Sequence, residues 1–376
     1  MLQRQDCRPR DRRRGLTSLA ALVAVVVSGY AVAGPSKDRL TSNDPGGVAT
    51  AAPVLQWSAE RGSATAQRRL GLMYMTGQGV GQDNGQAAKW FSMAADQGDV
   101  GARTLLIALC SNPQGPPLPP CAPLAADIRA RAVRGDPQAA IELGSFYLVG
   151  AAGLPKDPAA GVGWYRKAAT QGDVRAEFQL GLVYGSGLMG VAADPGQSMS
   201  WFRKAADQGD LASMRTLAMA YQSGLYGVAK DPAQAEAWYL KAANAGDLAA
   251  QSALAAMYAG GDGAPEAPVQ AVFWYRKAAE QGDANAAAAP ASAYAGGKGA
   301  PHDDVQALIW IDVAIALAEN RPGGVRPYWI DTRELIGRRL TYSQLVDAET
   351  QAAALKARLA THDQPEGEGP GPAFGY

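Results

Sequence analysis

Histidine is the usual general base and metal ligand near neutral pH. This chain of 376 residues has two, His302 and His362. The first sits in a Gly-rich stretch and the second close to the end of the sequence, so neither a His-based triad nor a multi-His metal site can be assembled. Ser-x-x-Lys, the pair with which penicillin-recognising enzymes make a nucleophile, does not occur in the sequence. Gly77-Gln78-Gly79-Val80-Gly81 is glycine-rich but lacks the spacing and the preceding strand of a dinucleotide loop, and reads as a turn. Carboxylate pairs such as Asp303-Asp304 read as helix starts before they read as general acids. The expectation is therefore no catalytic residues, no metal and no cofactor.

What must position such residues is a repeat. Gly-Asp recurs at Gly98-Asp99, Gly135-Asp136, Gly172-Asp173, Gly209-Asp210, Gly246-Asp247 and Gly282-Asp283, in steps of 37, 37, 37, 37 and 36 residues, and Gly62-Ser63 extends the series by 36. A fixed period of this length predicts stacked supersecondary units. Eleven residues after the Asp or Ser stands Tyr74, Tyr147, Tyr184, Tyr221, Tyr258 or Tyr294, usually preceded by Leu-Gly or Leu-Ala as in Leu180-Gly181 and Leu254-Ala255. Offsets 0, 3, 7, 8 and 11 share one helical face, which defines a helix A capped by the Asp. After a Gly-rich loop, Asp157-Pro158, Asp194-Pro195 and Asp231-Pro232 open a helix B, with Asp as cap and Pro at the first helical position. Seven residues on come Trp90-Phe91, Trp164-Tyr165, Trp201-Phe202, Trp238-Tyr239, Trp274-Tyr275 and Trp310-Ile311, so that six of eight tryptophans hold one repeat position. A ladder at constant phase predicts inter-helix core, not a ligand groove.

The pattern Asp-x-x-Ala-x-x-x-Leu-Gly-x-x-Tyr, a Gly-rich loop, then Asp-Pro-x-x-Ala-x-x-Trp-Tyr-x-Lys-Ala-Ala-x-x-Gly resembles the Sel-one-like repeat family, relatives of the tetratricopeptide repeats. Ala176, Leu180, Gly181, Tyr184, Trp164, Tyr165, Lys167, Ala168, Ala169 and Gly172 carry it most fully. The resemblance covers residues 57–320 in seven units. It implies an all-α fold, a right-handed α/α superhelical solenoid, and a role in protein–protein interaction without catalytic residues.

Outside the repeats, Arg4, Arg8, Arg10, Arg12, Arg13 and Arg14 precede an apolar run from Leu16 to Val27, and Ala31-Val32-Ala33 gives a signal-peptidase pattern before Gly34. Residues 1–33 read as a cleaved export signal, which predicts a periplasmic or secreted protein and membrane contact only if the segment stays attached. Residues 1–33 hold six Arg and two Asp, so the remainder carries 29 basic and 33 acidic residues, a net charge of −4. With no basic stripe in the repeats, nucleic acid is not expected as a partner. Cys7 leaves with the signal; Cys110 takes a helix-A tyrosine slot and Cys121 aligns with Pro158, so a bridge would staple helix A to helix B of the second unit and stabilise by about 3 kcal/mol.

Residues 34–56 are expected to be a flexible linker, 321–360 capping helices with Thr341-Tyr342-Ser343-Gln344 as a capping box, and 361–376 a disordered tail. Pro290, in the place of a helix-A leucine, predicts that the seventh unit is the loosest. Partner recognition is expected on the variable side of helix A, a concave face, at offsets 2, 5, 6 and 9: Arg68, Arg69, Glu142, Arg175, Phe178, Gln179, Arg215 and Met219. The function expected is a non-enzymatic scaffold of a bacterial cell envelope that binds a protein or extended peptide. The alternatives are a secreted protein that binds or hydrolyses cell-wall fragments or β-lactams, and a secreted effector that binds a host protein.

Overall fold

The computed structural model describes residues 45–112, 118–187, 189–260, 267–319 and 324–362, and among these the regular structure is all helical, with no strand. The chain divides into two compact units, residues 1–201 and 202–376. Through the first run α1 (Pro45–Glu60), α2 (Ala64–Thr76), α3 (Asn84–Ala95), α4 (Val100–Cys110), α5 (Cys121–Val133), α6 (Pro137–Val149), α7 (Pro158–Ala169) and α8 (Val174–Ser186), followed by α9 (Pro195–Asp207). The second continues with α10 (Leu211–Ser223), α11 (Pro232–Asn244), α12 (Leu248–Gly260), α13 (Pro268–Glu280), α14 (Ala284–Gly296), α15 (Asp304–Ala318), α16 (Pro327–Gly337) and α17 (Tyr342–His362). Even-numbered helices α2 to α14 are the helices A of the repeat, and α3 to α15 the helices B.

The repeated dipeptide does what its chemistry dictates. Asp99, Asp136, Asp173 and Asp283 accept the amide three residues on at 2.9, 3.1, 3.2 and 3.1 Å, filling an orphan donor of the first turn. The glycine before each takes φ between 81° and 99°, where a side chain would be strained. Each pair is then locked by its tyrosine's main chain: the carbonyl of Tyr74, Tyr147, Tyr184, Tyr221 or Tyr294 accepts the amide of the helix-B capping Asp at 2.8 to 3.0 Å. The second repeat, with Cys110 in that slot, is joined covalently: Cys110 and Cys121 are disulfide-bonded with Cα atoms 5.5 Å apart.

The tryptophan ladder is core at Trp90, Trp238, Trp274 and Trp310, and the residue after it is core in most units. Phe91, Tyr165 and Phe202 are fully buried, whereas Trp164 and Trp201 are half-buried. Helix A carries glycine opposite the second aromatic because the rings lie against its backbone: a Cβ on Gly71 would stand 2.5 Å from Phe91, and one on Gly144 2.7 Å from Tyr165. The outer edge of the indole is covered by a cation, with Lys167 Nζ 4.9 Å above the Trp164 ring and Lys241 Nζ 4.0 Å above that of Trp238.

One expectation changes. Residues 45–56, expected as linker, form most of α1. Its end, Ser58-Ala59-Glu60-Arg61-Gly62-Ser63, matches the end of a helix B in register, and the Ala59 carbonyl accepts Gln67 Nε2 at 3.0 Å, so α1 packs as a helix B against α2. Helix α14 continues unbroken through a buried Pro290; proline removes one amide and the stack retains the helix around it. The loops at 150–156, 187–193 and 224–230 are one residue longer than the loop at 77–82, and the added length sets Ala152, Met189 and Tyr226 at φ of 55°, 62° and 54°, the same slot in three successive units.

Helices α16 and α17 cover α15, burying Trp329, Ile336, Ala348 and Ala352, while Arg333 ties Asp312 of α15 at 2.5 Å to Glu349 of α17 at 3.1 Å. Thr341 and Gln344 form the expected capping box, with the Thr341 amide donating to Gln344 Oε1 at 2.9 Å and the Gln344 amide to Thr341 Oγ1 at 3.4 Å. Helix α17 runs to His362. The export signal at 1–33 and the tail from residue 363 onward lie outside the described residues.

Candidate functional site

Helix A has two flanks to satisfy. One face meets its own helix B through Leu180 and its equivalents; the next face around, at offsets 4 to 6, meets the neighbouring units. At offset 4 a buried glutamine reaches back to the end of the preceding helix B, Gln67 to the Ala59 carbonyl at 3.0 Å and Gln251 to that of Ala243 at 3.1 Å. The same two side chains accept Gln97 and Gln281 from the following turn at 2.7 and 2.8 Å. At offset 5, Arg68 pairs with Asp99 at 3.0 Å and Arg215 with Asp247 at 2.5 Å, each binding the carboxylate that caps the next helix A. Ser252 makes the same reach to Asp283 at 2.9 Å.

This sorts the residues that the sequence places on a recognition face. Arg68 and Arg215 stitch successive units. Glu142 and Gln179 are buried, with Glu142 accepting Gln138 at 2.9 Å. They are therefore not presented to solvent, because the side of helix A taken as free is partly covered by its neighbours. Arg175 stays exposed, its guanidinium joined to Asp173 at 2.8 Å and to Gln138 of the previous helix A. Phe178 and Arg69 are half-buried, and Met219, in the second unit, is 44% exposed. The glutamine ladder was missed by sequence reading, although Gln67 and Gln251 at one offset signalled it.

Among the described residues no group of three or more His, Cys, Asp or Glu could hold a metal. The largest shifts in acidity belong to buried tyrosines: burial pushes Tyr165 up to about 12 despite its hydrogen bond with Ser145, and burial followed by Glu236 raises Tyr258. Both hydroxyls stay neutral at physiological pH and act as structural partners, Tyr165 to Ser145 Oγ at 2.7 Å and Tyr258 donating to Glu236 at 2.6 Å.

Two recesses open between successive helices B. In the first unit, one of about 510 Å³ lies among α1, α2 and α3, lined by Gln56, Glu60, Tyr74, Gln86, Lys89, Trp90 and Met93. In the second unit, one of about 430 Å³ lies under α17, where Arg276 stacks 5.5 Å above the Trp310 ring beside Glu280 and Arg358. Among the described residues no helix is long and apolar enough to cross a membrane.

Residues 64–99, 137–173, 174–210, 211–247, 248–283 and 284–317 match the Sel1 repeat. The gap between the first two matches holds the disulfide-bonded unit. Among solved structures, the chain is similar to a protective antigen of uropathogenic Escherichia coli with an SLR fold, at 28% identity over 87% of this chain and 77% of that one, with a TM-score of 0.33. It is also similar to a Sel1 repeat protein from Oxalobacter formigenes, at 26% identity over 87% of this chain and 92% of that one, with a TM-score of 0.45. No curated protein matches the chain.

Proposed function

The chain belongs to the Sel1 repeat family, and from that premise we propose that it is a non-enzymatic binding scaffold of a bacterial cell envelope that holds a protein or extended peptide on its helices A. Sel1 repeat proteins are generally non-catalytic scaffolds for protein–protein interaction. The observation that carries the reading is on α8, where an exposed arginine, Arg175, stands one turn from a half-buried aromatic, Phe178. An aromatic anchor beside a rim cation is the composition of an interface centre. Arg69 on α2 extends this surface within the first unit, and Met219 on α10 offers an apolar contact in the second. The envelope location rests on the export-type sequence of residues 1–33 and on the disulfide, which suits an oxidising compartment.

The test is capture from envelope extract with the exported chain as bait. Arg175→Ala with Phe178→Ala should lose the captured partner while the melting transition stays within the small change expected of a surface ion pair and a half-buried ring. Full capture by the double variant would place recognition elsewhere, and turnover of a cell-wall substrate by the purified chain would replace the scaffold reading with an enzyme.

A further inference from the structure

Three times in the stack, the hydroxyl of a helix-A tyrosine is closed by an arginine two residues past the ladder position of the preceding helix B. Arg129 donates to Tyr147 Oη at 2.5 Å, Arg166 to Tyr184 Oη at 2.6 Å, and Arg203 to Tyr221 Oη at 2.5 Å. Arg166 also donates to Gln197 Oε1 of the next helix B at 3.2 Å, so that one guanidinium spans the groove between two helices B. The groove beside α2 is built from the same register positions. Tyr74 stands for Tyr184 and Gln86 for Gln197, but Gln56 stands where Arg166 does. Its shorter side chain turns to Glu60 at 3.0 Å. What the missing guanidinium leaves is the recess of about 510 Å³. Trp90 lines it, only 8% exposed, and its indole Nε1–H is buried with no hydrogen-bond partner.

We propose that this recess receives an arginine side chain from a partner polypeptide, which takes in trans the place that Arg166 takes in cis. The site lies on the helix-B side of the stack and goes beyond the helix-A surface. The Tyr74 hydroxyl and the Gln86 side-chain carbonyl correspond to the two acceptors that a planar guanidinium bridges beside α8, Tyr184 and Gln197, a geometry that a lysine ammonium does not reproduce. Glu60 supplies the countercharge, and the Trp90 and Tyr74 rings supply π faces. A main-chain carbonyl of the same partner segment is the acceptor that the Trp90 indole lacks. Lys89 opposes the incoming charge and sets the affinity low; its ammonium lies 5.8 Å from the Trp90 ring.

The experiment follows the Trp90 indole N–H resonance of the full exported chain, assigned by its loss in Trp90→Phe, during titration with the amide-capped peptide Ac-Ala-Arg-Ala. The resonance should shift with millimolar saturation, about 4 kcal/mol of binding. The citrulline peptide, neutral but nearly isosteric, should bind ~10-fold more weakly, and the glutamate peptide should give no shift. Gln56→Arg should rebuild the internal pair with Tyr74, abolish the response and raise the melting temperature, which separates a filled site from a misfolded one. Lys89→Met should tighten the arginine peptide several-fold, where a carboxylate ligand would instead be weakened. Equal binding of citrulline or glutamate peptides, an undiminished response in Gln56→Arg, or no shift in the wild-type chain would each overturn the proposal.

Discussion

At the scale of single residues, two positions carry more than their size suggests. Gly144 faces Tyr165 so closely that a methyl group would intrude on the ring. Alanine is the better helix former by 0.5 to about 1 kcal/mol, yet Gly144→Ala should destabilise by about 1–3 kcal/mol through overpacking, measurable by urea denaturation. A stabilising result would mean that the ring moves aside at little cost. The capping carboxyls give the chain an acid limit. Burial opposes ionisation of Asp136, but the Ala139 amide and Arg131 outweigh it and hold its pKa below the ordinary aspartate value. The Gln197 backbone and side-chain amides do the same for the half-buried Asp194. A carboxyl with a depressed folded pKa adds stability above its unfolded value of about 3.9 and loses it as pH falls through the folded one. The melting temperature should therefore drop as pH falls below about 4. Asp136→Asn keeps a cap without the charge, and should make that drop shallower; an unchanged pH profile would show that Asp136 does not contribute.

At the scale of elements, where the ladder tryptophan is half-buried, as at Trp164 and Trp201, the aromatic after it should matter more. Phe91→Ala is expected to cost about 3–5 kcal/mol as a core truncation, and Trp164→Ala distinctly less, since its indole is half-buried under Lys167. Similar losses for the two by chemical denaturation would restore the tryptophan as the core residue. Reduction of Cys110–Cys121, or a Cys110→Ser and Cys121→Ser pair, should lower stability by about 2–4 kcal/mol; labelling of both thiols in unreduced native protein would show the bond absent. The helix pairs, their caps and the cysteine slots were legible because each is written in residue type at fixed offsets. The side of helix A was not. Periodicity identifies the face with the most apolar side chains, but Glu142 and Gln179 are polar and buried there, and buried Gln67 is held by the Ala59 carbonyl of the preceding helix and by Gln97, 30 residues on. Helix α1 was hidden for a related reason: Pro53 and the Val54-Leu55 pair do not repeat the Trp-Tyr signature, and only Ser58-Ala59 and Gly62-Ser63 align.

At the scale of the whole molecule, the C-terminal helices should behave as part of the last repeat. A chain ending at residue 319 would uncover the apolar side of α15 and strand Asp312, buried and bound to Arg333. It should melt earlier than the full chain or self-associate on gel filtration, and equal stability would show that α16 and α17 are accessory. Export predicts that envelope material begins at Gly34 by intact mass; residues 1–33 still attached would indicate an anchored protein. The recurrent cap also governs how such a chain can change length. All but the first helix A begin with the same Gly-Asp turn, and Asp99, Asp136, Asp247 and Asp283 each serve their own helix together with a side chain from the unit before. Excising one whole period, for instance 137–173, would join Asp136 to Val174 and leave a capped helix and a complete repeat. A cut that is not a whole number of periods would orphan a cap and a tyrosine lock at once. Gain or loss of whole blocks of about 111 nucleotides, each encoding one unit, is therefore tolerated by the stack, so relatives should differ in number of units far more readily than in the dimensions of any one.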